Sequence, residues 1–95
     1  MGELWLHIRA LVSAAHYIVS VHASERLEER GILEWQVIAA IDTATLLFEH
    51  PSAEPNPAVE IRIALPDGTE VKAVWSWIRA IDVAKLVTVH YFDEA

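Results

Sequence analysis

The residues best suited to chemistry lie in one stretch, Ser20-Val21-His22-Ala23-Ser24-Glu25-Arg26-Leu27-Glu28-Glu29-Arg30-Gly31-Ile32. On a helix His22, Arg26 and Arg30 fall at i, i+4 and i+8 and share one side. An imidazole exchanges a proton near neutral pH, and a guanidinium holds a phosphate through paired N–H groups. The combination suits phosphate chemistry, with His22 moving a proton and Arg26 and Arg30 gripping the anion. The same residues also have a plainer reading. A His in a first helical turn often bonds locally. Glu25, Glu28, Glu29 and Glu34 can absorb both arginines in surface ion pairs worth about 0–1 kcal/mol each. Spacing alone leaves both readings open.

Other side chains say less. His7, His16, His22, His50 and His90 show no metal-ligand spacing such as H-x-x-x-H, so no metal is expected. Trp75 and Trp77 fall on one face of a strand. They fit core or dimer packing better than a base-stacking platform. With only three glycines, at 2, 31 and 68, there is no glycine loop for a nucleotide phosphate, and no cofactor is expected. The chain has no cysteine, which excludes a disulfide scaffold, a thiol nucleophile and a thiolate zinc site.

Helices and strands must position these groups. Leu4, Trp5, Ile8, Leu11, Val12 and Ala15 repeat at helical period, which predicts a helix from Glu3 to Ala15. Tyr17–Val21 is short and β-branched and reads as a strand. Ser20 is placed to cap a helix from about Val21 to Arg30. Gly31 is placed to end it, with Ile32 folding back on Leu27. A third helix is expected from about Glu34 to Thr43, with Val37, Ile38, Ile41 and Ala44 inward and only Leu33 as N-cap. Thr45–His50 reads as a strand, followed by a stiff loop through Pro51, Pro55 and Pro57. Val59, Ile61, Ile63 and Leu65 alternate with polar positions, Pro66-Asp67-Gly68 marks a turn, and Val71, Ala73, Trp75 and Trp77 alternate again. The last strand is expected to place Leu86, Thr88, His90 and Phe92 on one face. The turn at Ile81-Asp82-Val83 has no glycine to form it. The whole predicts one α+β domain over residues 1–95. N-terminal helices pack on a four-stranded antiparallel sheet, with three to five strands allowed.

The 95 residues carry 14 acidic and 7 basic side chains, a net charge of −7, and are 54% hydrophobic. That is too apolar for a disordered chain. The apolar load of so small a domain favours a homodimer or a protein partner. The acidity opposes indiscriminate nucleic-acid binding. No apolar run is long enough for a membrane span. Glu3, His7 and Arg9 interrupt the N-terminal run, so it does not read as a signal peptide, and a cytoplasmic location is expected.

The pattern S-x-H-A-x-x-R-x-x-x-R-G-I, a short helix with V-x-x-A-I, and the closing Thr88-Val89-His90-Tyr91 resemble the small bacterial family called domain of unknown function 4258. The resemblance covers about Tyr17 to Phe92 and leaves the first helix as an addition. It implies a fold similar to RelE-type and BrnT-type toxins and barnase, whose relatives cleave RNA without metal. By motif position His22 becomes the acid or base, Arg26 the phosphate clamp, Arg30 a weaker phosphate ligand, and Tyr91 a contact to base or phosphate. RNA would be the substrate and an antitoxin-like protein the partner. This chain departs from those toxins in being acidic. From Thr45 onward it has only Arg62, Lys72, Arg79 and Lys85 against eight carboxylates. The rival is a non-catalytic interaction or dimerisation module on the same fold.

Overall fold

A computed structural model describes residues 2–92. The expected span of 1–95, and the acids Asp93 and Glu94 counted above, reach beyond it. Helix α1 spans Glu3–Ser13, strand β1 Tyr17–Val19 and helix α2 Val21–Arg30. Helix α3 spans Glu34–Ala39 and runs on into a 3-10 turn, Ala40–Thr43. Strands β2 (Thr45–His50), β3 (Ala58–Ala64), β4 (Glu70–Ile78) and β5 (Val83–Tyr91) follow. The architecture is α+β, with the helices on a sheet of order β1-β5-β4-β3-β2.

Strands β2 to β5 form the expected antiparallel meander. The sheet is nevertheless five-stranded and mixed, because β1 pairs parallel to β5, with Tyr17 opposite Ala84 and Val19 opposite Leu86. Three residues of strand type mark a strand without marking its partner or direction.

Local chemistry explains the element ends. Helix α1 stops at Ser13, two residues short of expectation. Ala15 takes a left-handed φ of 63°, and the His16 and Ala15 N–H groups return to the Leu11 and Val12 carbonyls at 2.8 and 3.0 Å. Ala15 is therefore exposed rather than on the inward face. Ser20 Oγ accepts the Ala23 N–H at 2.9 Å and donates to the Val87 carbonyl at 3.0 Å, so one hydroxyl caps α2 and fastens it to β5. Gly31 ends α2 at φ 64°, and the Ile32 N–H reaches the Leu27 carbonyl at 2.9 Å. Leu33 cannot cap α3, and Gln36 Oε1 accepts its N–H at 3.1 Å instead.

One core holds the molecule. Trp5, Ile8, Leu11 and Val12 of α1, Ala23 and Leu27 of α2, and Val37, Ala40 and Ile41 meet the inward residues of the sheet, among them Val59, Ile61, Ala73, fully buried Trp75 and Leu86. The expected face of β5 is corrected here. Val74 pairs with Thr88 but Trp75 pairs with Leu86, so Val87 is an extra residue that flips the alternation. Leu86 and Val89 both point inward, Thr88 and His90 do not, and Phe92 lies beyond the strand, exposed.

Candidate functional site

The helical row comes first. An α-helix turns about 100° per residue, so a row at i, i+4, i+8 drifts about 40° at each step. The buried pair Ala23 and Leu27 sets the inward direction of α2, and the row drifts toward it. His22 is exposed, Arg26 half-buried, and the Arg30 side chain only 13% exposed. Each meets a different environment.

Arg26 Nη1 donates to both oxygens of Glu29, at 3.1 and 2.8 Å. Arg30 lies over the Tyr91 ring, 5.8 Å from its centroid, and the Tyr91 hydroxyl donates to the Arg30 carbonyl at 3.3 Å. Arg30 and Tyr91 share a cleft of about 210 Å³ with Gly31, Gln36 and Asp67, and neither His22 nor Arg26 lines it. His22 stands about 12 Å from Arg30 along the helix axis. The fold thus brings Arg30 and Tyr91 together, pairs Arg26 with a neighbouring acid, and leaves His22 in solvent at the other end.

A second set of charged groups lies on the opposite side of the sheet. The three helices share the core with one sheet face, and among the described residues no helix covers the other. The apolar positions of β3 and β4 point inward, so Glu60, Arg62, Lys72 and Lys85 point outward. Register then places Arg62 opposite Lys72 and Lys72 opposite His90, one row across β3, β4 and β5. Glu60, one pleat along, receives Lys72 Nζ at 3.0 Å and His50 Nε2 at 2.6 Å. Those two contacts, His50 first, hold the Glu60 carboxyl below its ordinary range, so it is an anion between two donors. Phe48, 61% exposed, stacks on His50 with ring centroids 6.3 Å apart.

This face holds Arg62, Lys72 and Lys85 against Glu60 and Glu70, and Glu54 of the β2–β3 loop lines a cleft there with Lys85, in a chain whose net charge is −7. The alternation of charged with apolar positions in β3 and β4 was visible in the sequence. The row was not, because register is a property of strand pairs. Trp75 and Trp77 share the inward side. Trp75 is core, and the Trp77 indole N–H donates to Asp82 Oδ1 at 2.8 Å. Among the described residues no three His, Asp or Glu side chains are grouped to hold a metal ion. Among the described residues no helix is long and apolar enough to cross a membrane.

No curated protein and no solved structure is similar enough to count as a match. The family described as Domain of unknown function (DUF4258) matches residues 19–90, which include α2, the meander and both charged rows and leave out α1. Over those residues, about three quarters of its length, this chain belongs to the DUF4258 family.

Proposed function

We propose that this chain is a ribonuclease-like domain whose RNA lies on the sheet face opposite the helices. One observation carries the reading: Arg62, Lys72 and His90 stand in one register row on that face, beside the Glu60–His50 pair. Directly opposed residues have Cα atoms about 4.5–5.5 Å apart, so three donors line up within reach of one phosphodiester. Cleavage through the ribose 2′-hydroxyl needs a base for that proton, cations for the crowded phosphorane and an acid for the leaving oxygen. Lys72 and Arg62 supply the cations, His90 and the Glu60 carboxylate supply proton transfer, and exposed Phe48 offers a ring to a base. The metal-free chemistry is that implied by the resemblance to barnase and the RelE-type and BrnT-type toxins. In the same reading an antitoxin-like partner silences the domain by covering this face.

The helix-borne assignment is the rival placement of the same activity, with His22 and Arg26 as catalytic groups, Arg30 on phosphate and Tyr91 on the base. It requires Arg26 to exchange Glu29 for a phosphate. The test is RNA cleavage and binding by the purified protein and by Arg62→Ala/Lys72→Ala, His90→Ala, His22→Ala and Arg26→Ala. Loss of binding and cleavage in the first variant and of cleavage in the second, with the last two intact, supports the sheet site. The reverse pattern moves the site to α2.

A second reading is favoured by a different observation. Leu33 and Trp35, 56% and 59% exposed, lie two residues apart where α3 begins. Large exposed apolar side chains are enriched at protein interfaces. A chain that neither binds nor cleaves RNA, and that sediments as a dimer unless Trp35→Ser is introduced, is an interaction module instead.

A further inference from the structure

At the end of the sheet away from the cationic row, α1 and the β4–β5 turn enclose a cleft of about 580 Å³. Its walls include Leu4, Pro51, Pro57 and Trp77, and its polar groups include His7 and Arg79. His7 and Leu4 come from α1, outside the residues the family model matches, while Trp77 and Arg79 lie within them. We infer that this cleft is a binding site for a small organic anion, a carboxylate or a phosphate monoester carried on an apolar ring.

The polar groups divide into those already engaged and those left for a ligand. Glu49 is engaged: its two oxygens accept the Gly2 and Trp5 N–H groups at 3.3 and 2.8 Å, at the start of α1. Asp82 is engaged as well. Its Oδ1 lies 2.8 Å from His7 Nε2 and accepts the Trp77 indole N–H at 2.8 Å. The His7 ring meets Trp77 edge-on, centroids 4.7 Å apart. The His7 imidazole is therefore fixed in angle, and with Nε2–H on Asp82 its Nδ1 is an acceptor, suited to a ligand hydroxyl or N–H and not to the oxyanion itself.

Asp82 reaches both partners from a left-handed φ of 52°, a conformation seldom taken by residues other than Gly, Asn and Asp. Arg79 is exposed and makes no ion pair with any described residue, in a chain with twice as many acids as bases. Glu3 also lines the cleft. The repulsion of Glu3 and Glu49 weakens anions that sit toward the start of α1 and favours a pose with the oxyanion on Arg79 and the apolar body against Trp77 and the prolines. A guanidinium that binds an oxyanion through two N–H groups and an apolar wall of indole and prolines are what such a ligand requires.

The test follows the Trp77 indole ¹⁵N–¹H signal, assigned with Trp77→Phe, on titration of the full chain with benzoate, phenyl phosphate and inorganic phosphate. Saturable movement with benzoate or phenyl phosphate is expected, the stronger of the two naming the oxyanion, and at least tenfold weaker binding to inorganic phosphate. Arg79→Gln breaks no ion pair among the described residues. It is expected to keep the melting temperature and weaken binding tenfold or more. Arg62→Gln, on the other sheet face, leaves the titration unchanged. No saturable movement of the Trp77 signal up to 10 mM of either aromatic anion overturns the site, as does equal binding by Arg79→Gln.

Discussion

Two rows of basic side chains cross this protein, and their fates differ. His22, Arg26 and Arg30 run along a helix, and Arg62, Lys72 and His90 run across a sheet. A helical row at i, i+4, i+8 drifts about 40° per step, so its members cannot all face one ligand unless the groove twists with them. Here the drift carries the row from solvent to an ion pair and then to an aromatic contact. A row across antiparallel strands does not drift, because opposed residues point to the same face. Cations spaced by register stay on one surface, while cations spaced by helical period share a surface only over a turn or two.

The largest expected effect tests that difference directly. Arg62→Ala/Lys72→Ala should weaken RNA binding about 100-fold and flatten the dependence of log K on log salt by about 1 for each lost phosphate contact. Arg26→Ala should change affinity by less than about twofold. Fluorescence anisotropy at several salt concentrations reads both, and equal effects from the two rows would erase the contrast.

Stability should show the opposite ranking. Arg30 covers Tyr91 with a side chain that is 13% exposed, so Arg30→Ala should cost about 1–2 kcal/mol in urea unfolding. Arg62→Ala and Arg26→Ala should each stay within about 0.5 kcal/mol, since both ion pairs are at the surface, on side chains 42% and 38% exposed. A greater loss from Arg26→Ala than from Arg30→Ala would break the drift argument.

The elements that hold the two rows can be tuned separately. Ala15→Gly should raise stability by about 1 kcal/mol by relieving the left-handed φ of 63° at the end of α1, leaving both rows in place. Ser20→Ala should lower it by about 1 kcal/mol, since the cap of α2 and its tie to Val87 are lost together.

The smallest effect concerns acid. The Glu60 carboxyl is lowered by His50 and Lys72, so it binds its proton less readily folded than unfolded. Its stabilisation is complete above the unfolded carboxylate value, near 4.5, and is lost as pH falls through the lower folded value. Glu60→Gln should therefore narrow the stability difference between pH 6 and pH 3. An unchanged acid limb would mean that the pairs on the open face contribute nothing.

The sequence by itself determined what depends on neighbours in the chain. Ser20 and Gly31 mark the ends of α2 because a hydroxyl caps a helix start and a glycine takes positive φ. The alternation in β3 and β4 marks the inward and outward faces because successive side chains oppose each other. The family pattern is local in the same sense, carried by α2 and the last strand. Tertiary structure decided what depends on separate segments meeting. It set the parallel pairing of β1 with β5, the extra residue Val87 that reverses the face of β5, and the single file of Arg62, Lys72 and His90. It also brought His7 of the first helix to Asp82 in the last turn. Strand register and helix docking minimise the free energy of the whole chain, through apolar surface buried between segments far apart in sequence, and no local pattern of residues encodes those distances.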